Sequence, residues 1–182
     1  MNITWILLYT LITNGLEIII FFKVDGIGLI FERIFKAFLF KILLAVVFVM
    51  ISYIVGNDYL SYFVDPLYGI GLSFLLLRGL PKKLLFFYGL FPMILVNLFY
   101  RGVSYFVLPF LGQGQVYDGY SFTGLCIIIF NFFISLAFLK WLGYDFTKLR
   151  KEILNKDFQK SLTKINWVMG AYYLVIQNLS YF

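Results

Sequence analysis

Six apolar runs, each near the ~20 residues a helix needs to cross the hydrocarbon core of a bilayer, constrain this chain more than any motif in it. They cover residues 3–22, 36–55, 59–77, 84–100, 121–142 and 165–182, and charged or Gly/Pro-containing stretches separate them. The runs are continuous, whereas a transmembrane β-barrel needs short segments of alternating polarity. Composition agrees: 62% of the 182 residues are hydrophobic and only 13% charged, against about a quarter charged in soluble domains. A water-soluble core of this size cannot hide so much apolar surface. The expectation is an all-α, polytopic transmembrane bundle of about six helices, forming a single domain over residues 1–182.

Orientation follows from the basic residues, because cytoplasmic loops carry the excess of Lys and Arg. Fourteen of the 15 fall at alternate ends of the runs, from Lys23 to Lys41, from Arg78 to Lys83 and from Lys140 to Lys164. Arg101 alone lies opposite, among Asp58, Asp65 and Asp118. The N-terminus is therefore expected outside, together with Phe182. The first run has neither a basic leader nor a small-residue cleavage site, so it reads as a retained helix. Cys126 is the sole cysteine and reads as a packing residue.

The chain contains no histidine, which removes the usual general base, a common zinc ligand and the phosphoacceptor of sensor kinases. No GxxxxGK[ST] phosphate loop occurs, and the Gly-Ile-Gly pairs at residues 26–28 and 69–71 read as turn and close packing. An enzyme is not expected, nor a cofactor or a bound metal. Nucleic acid is not expected either, because positive-inside topology already accounts for the net charge of +6.

Ionisable groups inside apolar runs are costly and so mark functional sites by default. Thr10, Thr13, Asn14 and Glu17 share one face of the first helix. Glu17 and Lys41 lie at equal depth on consecutive antiparallel helices, roughly 8–9 Å inside the cytoplasmic boundary, and are expected to pair. Such a pair is a structural lock between neighbours, a snorkelling lysine, or a switch. At the outer end, Asp65-Pro66 predicts a helix N-cap and first-turn proline, which leaves a short third helix. Arg101 closes the fourth, and residues 102–112 read as an interfacial or re-entrant segment leading to a polar loop. Tyr59, Tyr62, Asp65, Arg101, Tyr105, Phe106, Asp118 and Tyr120 would then form either an aromatic belt at the headgroups or a cleft for an apolar, partly charged ligand. On the inner side, Asp145 can cap a helix whose Phe146, Leu149 and Ile153 share a face, which is expected to lie on anionic membrane lipid.

The stretch Leu142-Gly143-Tyr144-Asp145-Phe146-Thr147-Lys148-Leu149-Arg150, continuing to Asn166, Met169 and Tyr172-Tyr173, resembles the membrane sensor half of peptide-pheromone receptor histidine kinases of Gram-positive bacteria. These are quorum-sensing, two-component receptors with a GHKL-type ATPase domain. The resemblance implies a multi-pass signal-input module in the bacterial plasma membrane, with a secreted peptide as ligand at the outer residues named above. A second copy of the chain is a further candidate partner. With Phe182 outside, a seventh helix would be needed to deliver a kinase to the cytoplasm. Two other classes compete. The substrate-binding subunits of energy-coupling-factor vitamin transporters are similar in length and hydropathy, but their Ala-x-x-x-Ala contact pattern is missing from the first helix here. A non-enzymatic membrane immunity or assembly protein also fits the layout.

Overall fold

A computed structural model of the chain describes residues 3–56, 63–107, 121–143 and 145–179. Among the described residues every regular element is helical: α1 Ile3–Asp25, α2 Phe31–Val55, α3 Val64–Leu76, α4 Lys82–Val107, α5 Phe122–Leu142, a 3-10 turn Phe146–Lys148 leading into the short α6 Leu149–Glu152, and α7 Lys156–Leu179. Four of these, α1, α2, α4 and α5, carry stretches long and apolar enough to cross a membrane, and α3 is a shorter apolar helix. Only 6% of the apolar window of α2 is buried against the chain. Its Val49, Met50, Tyr53 and Ile54 face outward, as lipid-facing side chains do and water-facing ones seldom do.

Helix ends follow local chemistry. Gly56 and Gly143 close α2 and α5 in the left-handed conformation, where a side chain would be strained. Ser121 caps α5 by accepting the Gly124 N–H at 3.1 Å. Asn155 does the same for α7, accepting the Asp157 N–H at 2.9 Å.

Three boundaries differ from expectation. The fourth run does not stop at residue 100, because α4 continues through Arg101 and Gly102 to Val107. One glycine costs a helix interior only about 1 kcal/mol, less than the gain from propagating an established helix past it. Residues 108–112 lie outside the described residues. The sixth run is likewise the second half of a longer helix, since the cap at Asn155 starts α7 within the basic stretch. Lastly, Asp65 is not an N-cap. Helix α3 begins at Val64 with Phe63 before it, and Asp65 sits in its first turn.

The chain divides into two compact units. One takes residues 1–20 and 95–144, the other residues 21–94 and 145–182. In the first, Asn131 of α5 is buried and donates to the Val96 carbonyl of α4 at 3.0 Å, while Phe99 and Phe138 meet edge to face. Cys126 is exposed on α5 rather than packed inside.

The second unit is organised around α3. A Cβ on Gly69 would lie 2.2 Å from the Gly89 carbonyl oxygen, and one on Gly89 would lie 2.5 Å from the Ile70 Cα. The two glycines therefore let the backbones of α3 and α4 touch, as small residues do where helices cross closely in lipid. Gly71 faces the Phe40 ring of α2, so the glycines at 69 and 71 serve two neighbours. The Ser73 hydroxyl donates to the Leu85 carbonyl of α4 at 2.7 Å, and Asn166 of α7 donates to the Lys83 carbonyl at 2.7 Å.

Candidate functional site

In the second unit, Lys41 Nζ stands 3.5 Å from Asp65 Oδ1 and 5.1 Å from the centre of the Tyr68 ring. Tyr68 is fully buried and stacks on Phe40. The sequence reading set Lys41 near the inner boundary and Asp65 at the outer one. Their contact follows from the length of α3, which reaches only part way along α2. Lys41 lies about 15 Å from the Phe31 end of α2 at roughly 1.5 Å per residue. The Lys41 side chain is 12% exposed and that of Asp65 51%, so the carboxylate is the accessible partner. Glu17, the partner expected for Lys41, lies on α1 in the first unit.

The other residues of the expected outer set divide by position. Arg101 belongs to the first unit, on α4, where its Nε donates to Asn97 Oδ1 one turn earlier at 2.7 Å. Tyr105 and Phe106 continue that helix. Tyr59, Tyr62, Asp118 and Tyr120 lie outside the described residues.

A second charged cluster, which the sequence reading missed, joins segments far apart in the chain. Asp25, the last residue of α1, is fully buried, and neither carboxylate oxygen has a hydrogen-bond partner. Arg150 donates through Nη2 to the Asp25 backbone carbonyl and supplies the positive field at its carboxylate. The Arg150 guanidinium also stands 5.5 Å from the centre of the Tyr88 ring, and the Tyr88 hydroxyl donates to the Phe146 carbonyl at 2.6 Å. Arg150 reads in the sequence as one more cytoplasmic cation. Only its return to α1, 125 residues earlier, gives it a different role.

The segment bearing Arg150 is shaped by Asp145, the expected cap. Its carboxylate accepts the Thr147 hydroxyl at 2.6 Å and the Thr147 N–H at 3.0 Å, and these bonds hold the carboxyl below its ordinary range. The face expected to lie on lipid headgroups is turned inward instead. Leu149 and Ile153 are buried, and the Phe146 ring packs 5.0 Å from that of Phe91. Short connections bring the segment back onto α4, so its apolar side chains find protein before lipid.

Among the described residues no group of three or more Cys, Asp or Glu side chains is placed to hold a metal ion. Among the described residues the chemistry on offer is two clusters of charged side chains and the apolar helices around them. No known family model matches the chain, and neither the curated proteins nor the solved structures include one similar to it.

Proposed function

We propose that this chain is the membrane-embedded input module of a signalling receptor, in which the Lys41–Asp65 pair responds to a ligand. The observation that carries the reading is the pair itself. An ion pair among apolar helices is expensive to maintain, and it joins α2 to an α3 too short to cross alone. Tyr59 and Tyr62, two residues of the expected ligand set, directly precede α3 in the sequence. Asp65 is the more exposed partner, so a cationic group of the ligand would meet it first and release Lys41. Loss of that link would shift the balance between packed and loosened arrangements of α2 and α3. On the family resemblance, the ligand is a secreted peptide and the output a histidine kinase of a two-component system.

In the same reading the chain crosses a bacterial plasma membrane six times, with its N-terminus outside. Cysteines placed at Asp118 and Lys156 in a Cys126→Ser background check this. Position 118 is expected to label in intact cells and position 156 only after permeabilisation, and the reverse pattern would reject the topology.

The functional test is a fusion of this chain to a histidine-kinase reporter, exposed to peptide fractions of culture supernatants. Lys41→Met and Asp65→Asn are each expected to fix the output in one state regardless of peptide. Variants that reach the membrane and still respond as the parent does would remove the pair from the mechanism.

A further inference from the structure

The second unit holds a groove of about 560 Å³ between α3, α4 and α7. Its walls are apolar along most of their length, with Leu67 and Ile70 from α3, Phe86 and Leu90 from α4, and Trp167 and Leu174 from α7. Lys82 and Lys83 stand at one end, and the Asn166–Lys83 hydrogen bond sets the polar part of α7 beside them. From Thr163 to Leu174 the α7 wall runs roughly 16 Å. The groove thus has two cations at one end and hydrocarbon-like surface along the rest.

We propose that this groove binds one anionic glycerophospholipid of the surrounding bilayer, its phosphate at Lys82 and Lys83 and an acyl chain along Ile70, Leu90 and Trp167. The charge pattern selects this occupant. A neutral hydrophobic segment would gain nothing from the two exposed lysines, whereas a headgroup phosphate gives them a counter-charge. Positive-inside topology sets Lys82 and Lys83 at the cytoplasmic face, where anionic headgroups attract each juxtamembrane lysine. The inference needs a chain seated in a bilayer but not the peptide-receptor reading, so the two can fail separately.

The test uses the full chain with Trp5→Phe and Trp141→Phe, which leaves Trp167 as the sole tryptophan. Its fluorescence is read in nanodiscs that carry brominated acyl chains on either phosphatidylglycerol or phosphatidylcholine. Phosphatidylglycerol is expected to quench at about fivefold lower mole fraction, the scale of one lysine–headgroup attraction. Lys82→Gln with Lys83→Gln should abolish that preference, while Lys148→Gln with Lys151→Gln, outside the groove lining, should leave it intact. Gly170→Phe supplies a second arm. A Cβ at Gly170 meets no atom within 4 Å, so the ring is expected to fill the groove without unfolding the chain and to remove most of the quenching. Equal quenching by the two lipids would overturn the proposal. So would a preference lost equally with either lysine pair, which is general surface charge, or a groove closed by a second copy of the chain, seen as cross-linking at Trp167→Cys.

Discussion

Gly89→Val is expected to destabilise the protein by about 3 kcal/mol, at the upper end of what overpacking usually costs, and to do so through one helix crossing. A Cβ at position 89 would stand 2.5 Å from the Ile70 Cα and 2.7 Å from the Ile70 nitrogen. Both are backbone atoms of α3 and cannot rotate aside. Gly69 meets the same crossing from the other helix, so α3 and α4 would have to separate. Separation would also strain the Ser73–Leu85 hydrogen bond. Gly71 makes a useful contrast, because its neighbour is the Phe40 ring, which can move, and Gly71→Ala should cost less. Gly102→Ala is the control: nothing lies within 4 Å of its Cβ. Removing a glycine from a helix interior there should stabilise by roughly 0.5–1 kcal/mol. Denaturation midpoints in one detergent would rank the four proteins. If Gly89→Val melts with the parent, the close approach of α3 and α4 is wrong.

Arg150→Met should cost about 1.5–3 kcal/mol, the range for losing a hydrogen bond from a charged donor. Asp25 is fully buried and its carboxylate oxygens have no hydrogen-bond partner, and the contact Arg150 makes with it is to the backbone carbonyl. Taking the guanidinium away frees that carbonyl and removes the cation from the Tyr88 ring. Asp25→Asn keeps the shape and both of those contacts, so it should be close to neutral. The double variant should then lose about as much as Arg150→Met alone. A double variant that instead recovers most of the loss would show that Arg150 acts on the Asp25 carboxylate.

Much of the fold is legible in the residues. Four of the six apolar runs coincide with helices long enough to span, since intrahelical hydrogen bonding is the one way such a run satisfies its own backbone in lipid. Asp145 was readable as a cap, because Asx capping depends only on residues within three positions. The shortness of α3 was readable from Asp65-Pro66 at one end and Gly79-Leu80-Pro81 at the other. What Asp65 does was not readable. A carboxylate directly before a proline serves a cap or a salt bridge equally well, and the choice depends on where α2 carries Lys41.

The sequence by itself determined that this chain is helical and apolar enough for a membrane, because run length and the 3.6-residue turn are local properties. The pairing of charges belongs to the tertiary structure alone. Lys41 meets Asp65, and Arg150 reaches back to the end of α1, because glycine-thinned crossings set how far each helix slides along its neighbour. That offset is fixed by side-chain packing, which hydropathy does not encode. It decides which charges share a depth and so which of them can form a site.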